Sequence, residues 1–210
     1  MSGLRGQHPS MPPGGTIRLY GRRVMLRPLT TTDWEPWREV RQRNERWLTT
    51  WEPLRPAGLL DPTRDRDAFN SRCHARDRDR QIGTAFGFGL FVGNSLAGEV
   101  NLNGVVRGAQ QTATIGYWID QQHAGHRYVP EAVVVLCRFA FEQLHLHRVE
   151  ICIVPRNTNS RRVMEVLALR EEGVALRFLE INGVWEDHVR YAITTEEWQA
   201  RAAELAQAWL

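Results

Sequence analysis

Residues 120–133, DQQHAGHRYVPEAV, mark the point at which a strand pattern gives way to a helix pattern. The segment TATIGYWI before them has the composition of a strand. After them, Val129, Val133 and Leu136 recur at helical spacing, and Pro130 is acceptable in the first turn of a helix. The chain is therefore predicted to pass here from a strand directly into a helix.

The connection itself carries the residue types of an anion-binding loop. A helix N-terminus presents unpaired N–H groups and a partial positive charge, and anions bind there when a tight turn directs successive amides to one point. Gly125 supplies a permissive backbone, and His126 and Arg127 add positive charge. The G-x-G-x-x-G fingerprint of dinucleotide sites is absent, and His123 and His126 lack a third ligand, so no metal site is expected. Taken alone, the stretch is better explained as a plain polar connection.

Composition restricts the class of protein. With 210 residues, 42% of them apolar and 24% charged, the chain is predicted to form one globular domain. No apolar run approaches the ~18–20 residues of a membrane span, and the first residues lack an apolar signal region, so we expect a cytoplasmic protein. The three cysteines form no C-x-x-C pair, which favours neither a disulfide framework nor structural zinc.

All 27 basic residues are arginine. The absence of lysine excludes a G-x-x-x-x-G-K-[ST] phosphate loop and any Schiff-base lysine. The net charge of +3 tolerates an anionic small ligand. Because 24 acidic residues are interspersed with the arginines, no basic stripe is present and no nucleic-acid partner is expected.

The order of elements predicts a mixed α/β fold. Residues 1–15 are rich in Gly, Pro and Ser and are expected to be a flexible tail. The patterns then predict a strand, two helices, three strands, a helix, a strand, a short helix and a hairpin, which makes seven strands. Asn157 or Ser160 caps the short helix, Asn182-Gly183 turns the hairpin, and a last helix starts at Thr194. Strand–helix–strand alternation is confined to the middle, so the sheet is not doubly wound.

Five stretches together resemble one family. The spacing Gln122-x-x-Gly125-x-Arg127 resembles the Q/R-x-x-G-x-G/A loop of the GCN5-related N-acetyltransferases (GNAT), and VPRNTNSRRVMEVLALREEG resembles their later N-x-x-S segment. RNERWLTTWEPLR, NGVVRG and GVWEDHVRYAITTEEW are similar to segments of the RimJ/RimL type, the ribosomal-protein alanine N-acetyltransferases. By these motifs, in this order, the chain is identified as a member of that type.

The resemblance implies a fold and a cofactor. The expected fold is a central, mostly antiparallel seven-stranded sheet flanked by helices, with a splayed strand pair at the cofactor. It would span residues 16–195, with a C-terminal helix over 196–210 packed on or trailing the domain. The implied co-substrate is acetyl-CoA, with no metal. The residues implied to bind it are Tyr117, Trp118, Ile119, Gln122, His123, Ala124, Gly125, His126, Arg127, Tyr128, Asn157 and Ser160. The sequence departs from the family at two positions. Arg127 stands where the family usually has glycine or alanine, and Ala168 stands where it usually has glycine.

The same resemblance implies direct attack of an amine on the thioester, without an acetyl-enzyme. Glu52 and Glu99 are the candidate bases that accept the amine's proton through a water, and Asp187-His188 is a third option. An α-amine has a pKa of ~7.7–8.0 against ~10.4 for lysine, so it is the easier nucleophile at neutral pH. The family's proton-donating tyrosine corresponds to Met164, which leaves the general acid unassigned.

Three functions follow from these residues. The leading hypothesis is acetylation of a protein N-terminal α-amine, of the ribosomal-protein alanine type. The second is acetylation of a small amine such as an antibiotic or a polyamine. An enzyme that acts on small amines should surround the acceptor with more acidic side chains than Glu52 alone. The third is a CoA-binding module with little or no catalysis. A monomer and a homodimer are both compatible with the sequence.

Overall fold

The sheet has eight strands in the order β1-β2-β3-β4-β5-β6-β8-β7 in the computed structural model, which describes residues 17–210. The strands are β1 (Leu19–Tyr20), β2 (Val24–Arg27), β3 (Phe86–Val92), β4 (Ser95–Val106), β5 (Thr112–Ile119), β6 (Arg148–Ile153), β7 (Arg170–Ile181) and β8 (Val184–Thr194). Neighbouring strands are antiparallel, except that β5 and β6 are parallel. The mixed, mostly antiparallel class is therefore confirmed. The predicted tail, residues 1–15, lies outside the described residues.

The predicted number of strands was wrong by one. The additional strand is β1, in which Leu19 pairs with Leu26 and Tyr20 pairs with Met25 of β2. Two residues are too few to show an alternating pattern, so the sequence carries no signal for this strand. It extends the edge of the sheet beside β2.

Helices flank the sheet, and caps predicted from the sequence begin the last two of them. They are α1 (Trp34–Arg43), α2 (Glu45–Thr49), α3 (Arg66–Ile82), α4 (Tyr128–Arg138), α5 (Thr158–Val166) and α6 (Thr195–Trp209). Asn157 rather than Ser160 caps α5, because the Asn157 side chain accepts a hydrogen bond from the Ser160 N–H. Thr194 and Glu197 form a capping box at the start of α6, whose Trp198 and Leu205 are buried in the core. Within residues 17–210, no helix is long and apolar enough to cross a membrane.

Two cores lie on the sheet. Successive side chains of a strand point to opposite faces, so Leu90 and Phe91 of β3 enter different clusters. The larger cluster is formed with α4, where Val133 and Leu136 are fully buried. The smaller one includes Trp37 of α1 and lies beside α3. Since α4 is anchored so deeply, its N-terminus has a fixed position relative to β5.

The parallel strands β5 and β6 pair over only part of their length. Thr112–Thr114 pairs with Arg148–Glu150, and the two strands separate beyond this point. The edge of β5 that faces β6 is therefore open from residue 115 to residue 119 within the described sheet. The splayed strand pair expected from the family is present.

Candidate active site

A cleft of about 970 Å³ lies beside the open edge of β5. Its walls come from β5, from the connection between β5 and α4, from α5 and from the segment around α2. This volume is in the range of sites for cofactors and other small molecules, ~300–1,000 Å³. Of the predicted site residues, the walls contain Glu52, Tyr117, Trp118, Ile119, His123, Ala124, Gly125, Arg127, Tyr128, Asn157 and Ser160. Glu99, Gln122 and His126 are not part of the walls.

The loop 124–128 presents a row of free amides. Among the described residues, none accepts a hydrogen bond from the backbone N–H groups of Gly125, His126, Arg127, Tyr128 or Val129. A carbon atom added at Gly125 in the Cβ position would meet nothing within 4 Å, so the space beside this backbone is open. A row of amides at the start of α4, next to such a space, can bind a phosphate or another anion.

The departure at Arg127 falls on a residue with a left-handed backbone. Arg127 adopts the left-handed conformation with φ 63°, and Ala168, at the other departure, has φ 47°. In both places the chain keeps a conformation that favours glycine, at a cost of roughly 1–2 kcal/mol for a residue with a side chain. The Arg127 side chain is exposed and borders the cleft. The loop is therefore held in its shape against a local strain.

Asp120 fixes the start of the connection. Its carboxylate is fully buried and binds the Arg43 guanidinium, the Asn44 side-chain amide (2.7 Å) and the Gln122 N–H (3.3 Å). Burial alone would raise the pKa of this carboxyl, but the hydrogen bonds from Arg43 and Asn44 outweigh it and lower the pKa to about 2. Asp120 is thus ionised at neutral pH and ties β5 to the end of α1. Gln122 and His123 follow this anchor in a turn of 3-10 helix.

Tyr117 and Ser160 meet in the middle of the cleft. The Tyr117 hydroxyl lies 2.7 Å from the Ser160 hydroxyl, joining β5 to the first turn of α5. Burial raises the pKa of Tyr117, so its hydroxyl stays protonated at neutral pH. Since Asn157 caps α5, the Ser160 hydroxyl is free of that task. Two neutral hydroxyls are therefore available here to donate a proton or a hydrogen bond.

Glu52 lies at the end of the cleft formed by the TTWEP segment. Its two carboxylate oxygens bind both terminal nitrogens of Arg41, at 2.6 and 2.7 Å. The Glu52 side chain is 32% exposed and that of Arg41 16% exposed. The Arg41 guanidinium lies 5.2 Å from the centre of the Trp118 ring on β5. Glu52 is therefore a partly accessible carboxylate held in one orientation.

Glu99 lies instead in a buried cluster behind β5. Its side chain is 1% exposed and accepts hydrogen bonds from Trp37 (2.6 Å) and Arg72 (2.6 and 2.8 Å), with Arg76 at 3.3 Å. Burial would raise the pKa of Glu99, but Arg72 and Arg76 outweigh it and lower the pKa to about 2. Because Glu99 is buried and is not part of the cleft walls, it cannot receive a proton from a group in the cleft. The geometry favours a structural role for Glu99 over the catalytic one suggested by the sequence.

The third candidate base is also occupied. Asp187 accepts from the Arg177 N–H (2.8 Å), and His188, 2% exposed, binds the Glu186 carbonyl through Nδ1 (3.0 Å). The geometry therefore favours a structural role for this pair in the β7–β8 hairpin. Met164, at the family's tyrosine position, is fully buried.

Sequence reasoning did not assign individual roles to Trp47 and Trp51, which lie in the RNERWLTTWEPLR stretch. Both border the cleft near Glu52. Trp47 donates to the Ile119 carbonyl (3.2 Å) at the end of β5, and Trp51 packs under the Arg156 guanidinium at 4.7 Å. The family resemblance of this stretch was the only sequence signal that could have placed them at the site, because an aromatic residue in a loop can equally belong to the core or to a binding site. The part of the chain described contains no group of three His, Cys, Asp or Glu side chains that could hold a metal.

Comparisons with known proteins show the family to which the chain belongs. The sequence profile of the acetyltransferase (GNAT) domain matches residues 23–170. The chain is 34% identical over 177 residues to a probable N-acetyltransferase of Bacillus subtilis, YjcK, covering 83% of this chain and 96% of that protein. It is 31% identical over 186 residues to the ribosomal protein uS5-alanine N-acetyltransferase of Escherichia coli, covering 87% and 93% of the two chains.

A solved structure is similar over nearly the whole chain. Mycobacterium smegmatis RimJ in complex with CoA-disulfide superposes with a TM-score of 0.84 at 30% identity, covering 94% of this chain and 97% of that one. Sequence profile, relatives and structure agree, and they confirm the resemblance drawn from the five stretches. The chain belongs to the GNAT acetyltransferase family and is an acetyl-CoA-dependent N-acetyltransferase.

Proposed function

We propose that this protein acetylates the N-terminal α-amine of a protein, of the ribosomal-protein alanine type. The observation that carries the proposal is the arrangement of the cleft: a loop with free amides and a single carboxylate on the TTWEP segment border the same space, together with the open edge of β5. The named activity of the E. coli relative supports the choice of acceptor.

The loop 124–128 would hold the pyrophosphate of acetyl-CoA. Its free amides and the dipole of α4 supply donors and partial positive charge without a lysine. The thioester arm would then follow β5, whose open edge presents backbone N–H groups to the carbonyl. A preorganised donor of this kind contributes ~2.7–4 kcal/mol to the transition state. The Asn157 side chain, which shares the cleft wall, would contact the arm.

Glu52 would accept the proton of the incoming ammonium through a water. Its position in the cleft wall suits this role, and Arg41 keeps the carboxylate turned one way. The α-amine, with a pKa of ~7.7–8.0, needs only a weak base at neutral pH. The amine nitrogen then forms the amide bond as the C–S bond breaks.

The departing thiolate needs stabilisation and then a proton. The Ser160 hydroxyl, hydrogen-bonded to Tyr117, would stabilise the thiolate by donating a hydrogen bond, since both groups border the cleft. Both hydroxyls are far weaker acids than a thiol, so the proton that Glu52 takes from the amine would reach the thiolate through water.

The small-amine alternative predicts several acidic side chains around the acceptor. The cleft walls contain two, Glu52 and Glu165, and Glu165 lies on α5 beyond Ser160 rather than on the TTWEP segment. A single carboxylate suits one ammonium group at the end of a polypeptide better than a polycation. An acceptor of the ribosomal-protein type would place the reaction in the cytoplasm.

The test is a matched set of acceptors. Purified protein is incubated with acetyl-CoA and a peptide that begins with alanine and contains one internal lysine, and CoA release is followed with a thiol reagent. The control is the same peptide with its N-terminus already blocked; spermidine and an aminoglycoside represent the alternative. We expect acetylation of the free N-terminus alone, located by mass spectrometry. Faster turnover of either small amine would reject the proposal.

A further inference from the structure

We infer that Arg23 is a positioning residue for the cofactor: it turns the loop 124–128 so that its amides face the cleft. Arg23 lies just before β2, about a hundred residues away in sequence. One terminal nitrogen donates to the His126 carbonyl (3.1 Å) and the other donates to the Arg127 carbonyl (3.4 Å). The inference rests on the proposal that this loop binds the pyrophosphate.

Peptide geometry converts these two bonds into an orientation of the amides. In a trans peptide the C=O of one residue and the N–H of the next point in opposite directions. With the carbonyls of His126 and Arg127 held by Arg23, the N–H groups of Arg127 and Tyr128 must point away from Arg23. The same reasoning applies to Gly125, because the His126 ring binds the preceding carbonyl of Ala124 at 3.0 Å.

Arg23 is itself held from several sides. Its Nε binds Glu131 Oε2 at 3.0 Å, and the N–H groups of Arg23 and Val24 both donate to Glu131 Oε1. The Glu131 side chain is 1% exposed and lies in the first turn of α4. The Arg23 guanidinium also lies 4.9 Å from the centre of the Tyr128 ring. Arg23 therefore connects the start of β2 to the start of α4 through several contacts.

These contacts of Arg23 have two effects on the loop 124–128. Arg127 has a left-handed backbone where the family pattern has glycine or alanine, and a bond to its carbonyl opposes rotation of that peptide out of position. In addition, Glu131 places a negative charge beside the proposed anion site, and the Arg23 guanidinium offsets that charge. Without Arg23, the amides would lose their common direction and an anion would meet an uncompensated carboxylate.

The experiment compares Arg23→Met with Arg22→Met in the full-length protein. Arg22 is the adjacent arginine, but its guanidinium binds the Gln207 carbonyl on α6, away from the loop. Isothermal titration with CoA gives the dissociation constant and the number of binding sites, and no acceptor is needed. We expect Arg23→Met to raise the dissociation constant at least tenfold, about 1.4 kcal/mol, with the number of sites unchanged. Arg22→Met should bind CoA as the wild type does.

A purely structural role for Arg23 would give a different result. Partial unfolding lowers the number of sites and leaves the affinity of the remaining sites intact, and this outcome would overturn the inference. If Arg23→Met does not fold, Arg23→Lys replaces it: a lysine keeps a charge near Glu131 but cannot hold two carbonyls in a fork, so the same tenfold loss is expected.

Gly125→Asp separates the inference from the proposal on which it rests. If Gly125→Asp abolishes CoA binding while Arg23→Met leaves the affinity unchanged, the loop binds the cofactor and the inference about Arg23 is wrong. If neither substitution affects binding, the proposed role of the loop fails as well.

Discussion

The pair Gly125→Asp and Gly125→Asn is the most direct test of the loop 124–128. Gly125 has φ 81°, and an added side chain would enter open space at the cleft. The two side chains have nearly the same shape and both tolerate the left-handed region better than other residues. They differ in one negative charge, which is the property that a pyrophosphate site would detect.

The expected magnitudes follow from the geometry. Residual strain of up to ~1–2 kcal/mol lowers the melting temperature of either ligand-free variant by ~2–8 °C in a domain of this size. Wild-type protein at a ligand concentration ~100 times its Kd gains ~2.7 kcal/mol, or ~5–11 °C. A carboxylate ~4 Å from one phosphate charge costs ~1 kcal/mol in water and ~4 kcal/mol near a protein surface, which weakens binding by roughly 5- to 1,000-fold.

The assay is thermal unfolding at one fixed acetyl-CoA concentration, chosen from the wild-type Kd. A 100-fold weaker Kd leaves a gain of ~0.4 kcal/mol, so the Asp variant should show a ligand shift of ~1–2 °C while the Asn variant keeps most of the wild-type shift. Equal shifts in melting temperature for Asp, Asn and wild type would refute the reasoning, since a negative charge at residue 125 would then have no effect on cofactor binding.

Three further substitutions test the remaining parts of the site. Glu52→Gln should lower kcat/KM by ~10-fold at pH 7, because only ~10% of an α-amine with a pKa of ~8 is unprotonated there, and should recover towards wild type above pH 9, where the α-amine loses its proton unaided; an unchanged pH 7 rate would remove Glu52 from the mechanism. Glu99→Gln should lower the free energy of unfolding by ~3–5 kcal/mol at pH 7, measured in urea. Because its folded pKa of about 2 lies below the usual 4.5, wild-type Glu99 stabilises the fold above pH 4.5 and loses this effect as the pH falls towards 2, a dependence that the Gln variant should lack. Arg127→Ala should weaken CoA binding but not dephospho-CoA binding if its exposed side chain meets the 3′-phosphate, and an equal loss for both ligands would place it elsewhere.

The sequence predicted the architecture because its signals were local. Asn182-Gly183 adopts left-handed angles at both residues, φ 48° and 84°, and joins β7 to β8 as expected from its turn chemistry. The extent of β7 was harder to predict. The strand runs over Arg170–Ile181, but register shifts at Glu171/Gly173 and Ala175/Leu179 interrupt the alternation on which a strand prediction depends.

The site was predictable where a motif carried it and unpredictable where partners are distant. Gly125 and Ser160 were singled out through the resemblance to the family's motifs, and both border the same cleft. The two candidate bases, Glu52 and Glu99, look alike in sequence. Each is paired with an arginine from another element, Arg41 or Arg72, but Glu52 is partly exposed at the cleft and Glu99 is buried away from it. Burial that depends on distant elements leaves no local pattern.

The two anchors of the connection between β5 and α4 come from the same short part of the chain. Arg43 and Asn44 hold its start through Asp120, and Arg23 holds its end through Glu131. Cofactor binding thus reports whether β2 and α1 have docked onto the rest of the domain. CoA should accordingly slow amide hydrogen exchange throughout residues 23–44, a segment that is mostly remote from the ligand. A shortened chain that begins at β3 would retain the glycine-containing motif and lose the affinity for CoA. The motif alone is therefore not a transferable binding unit.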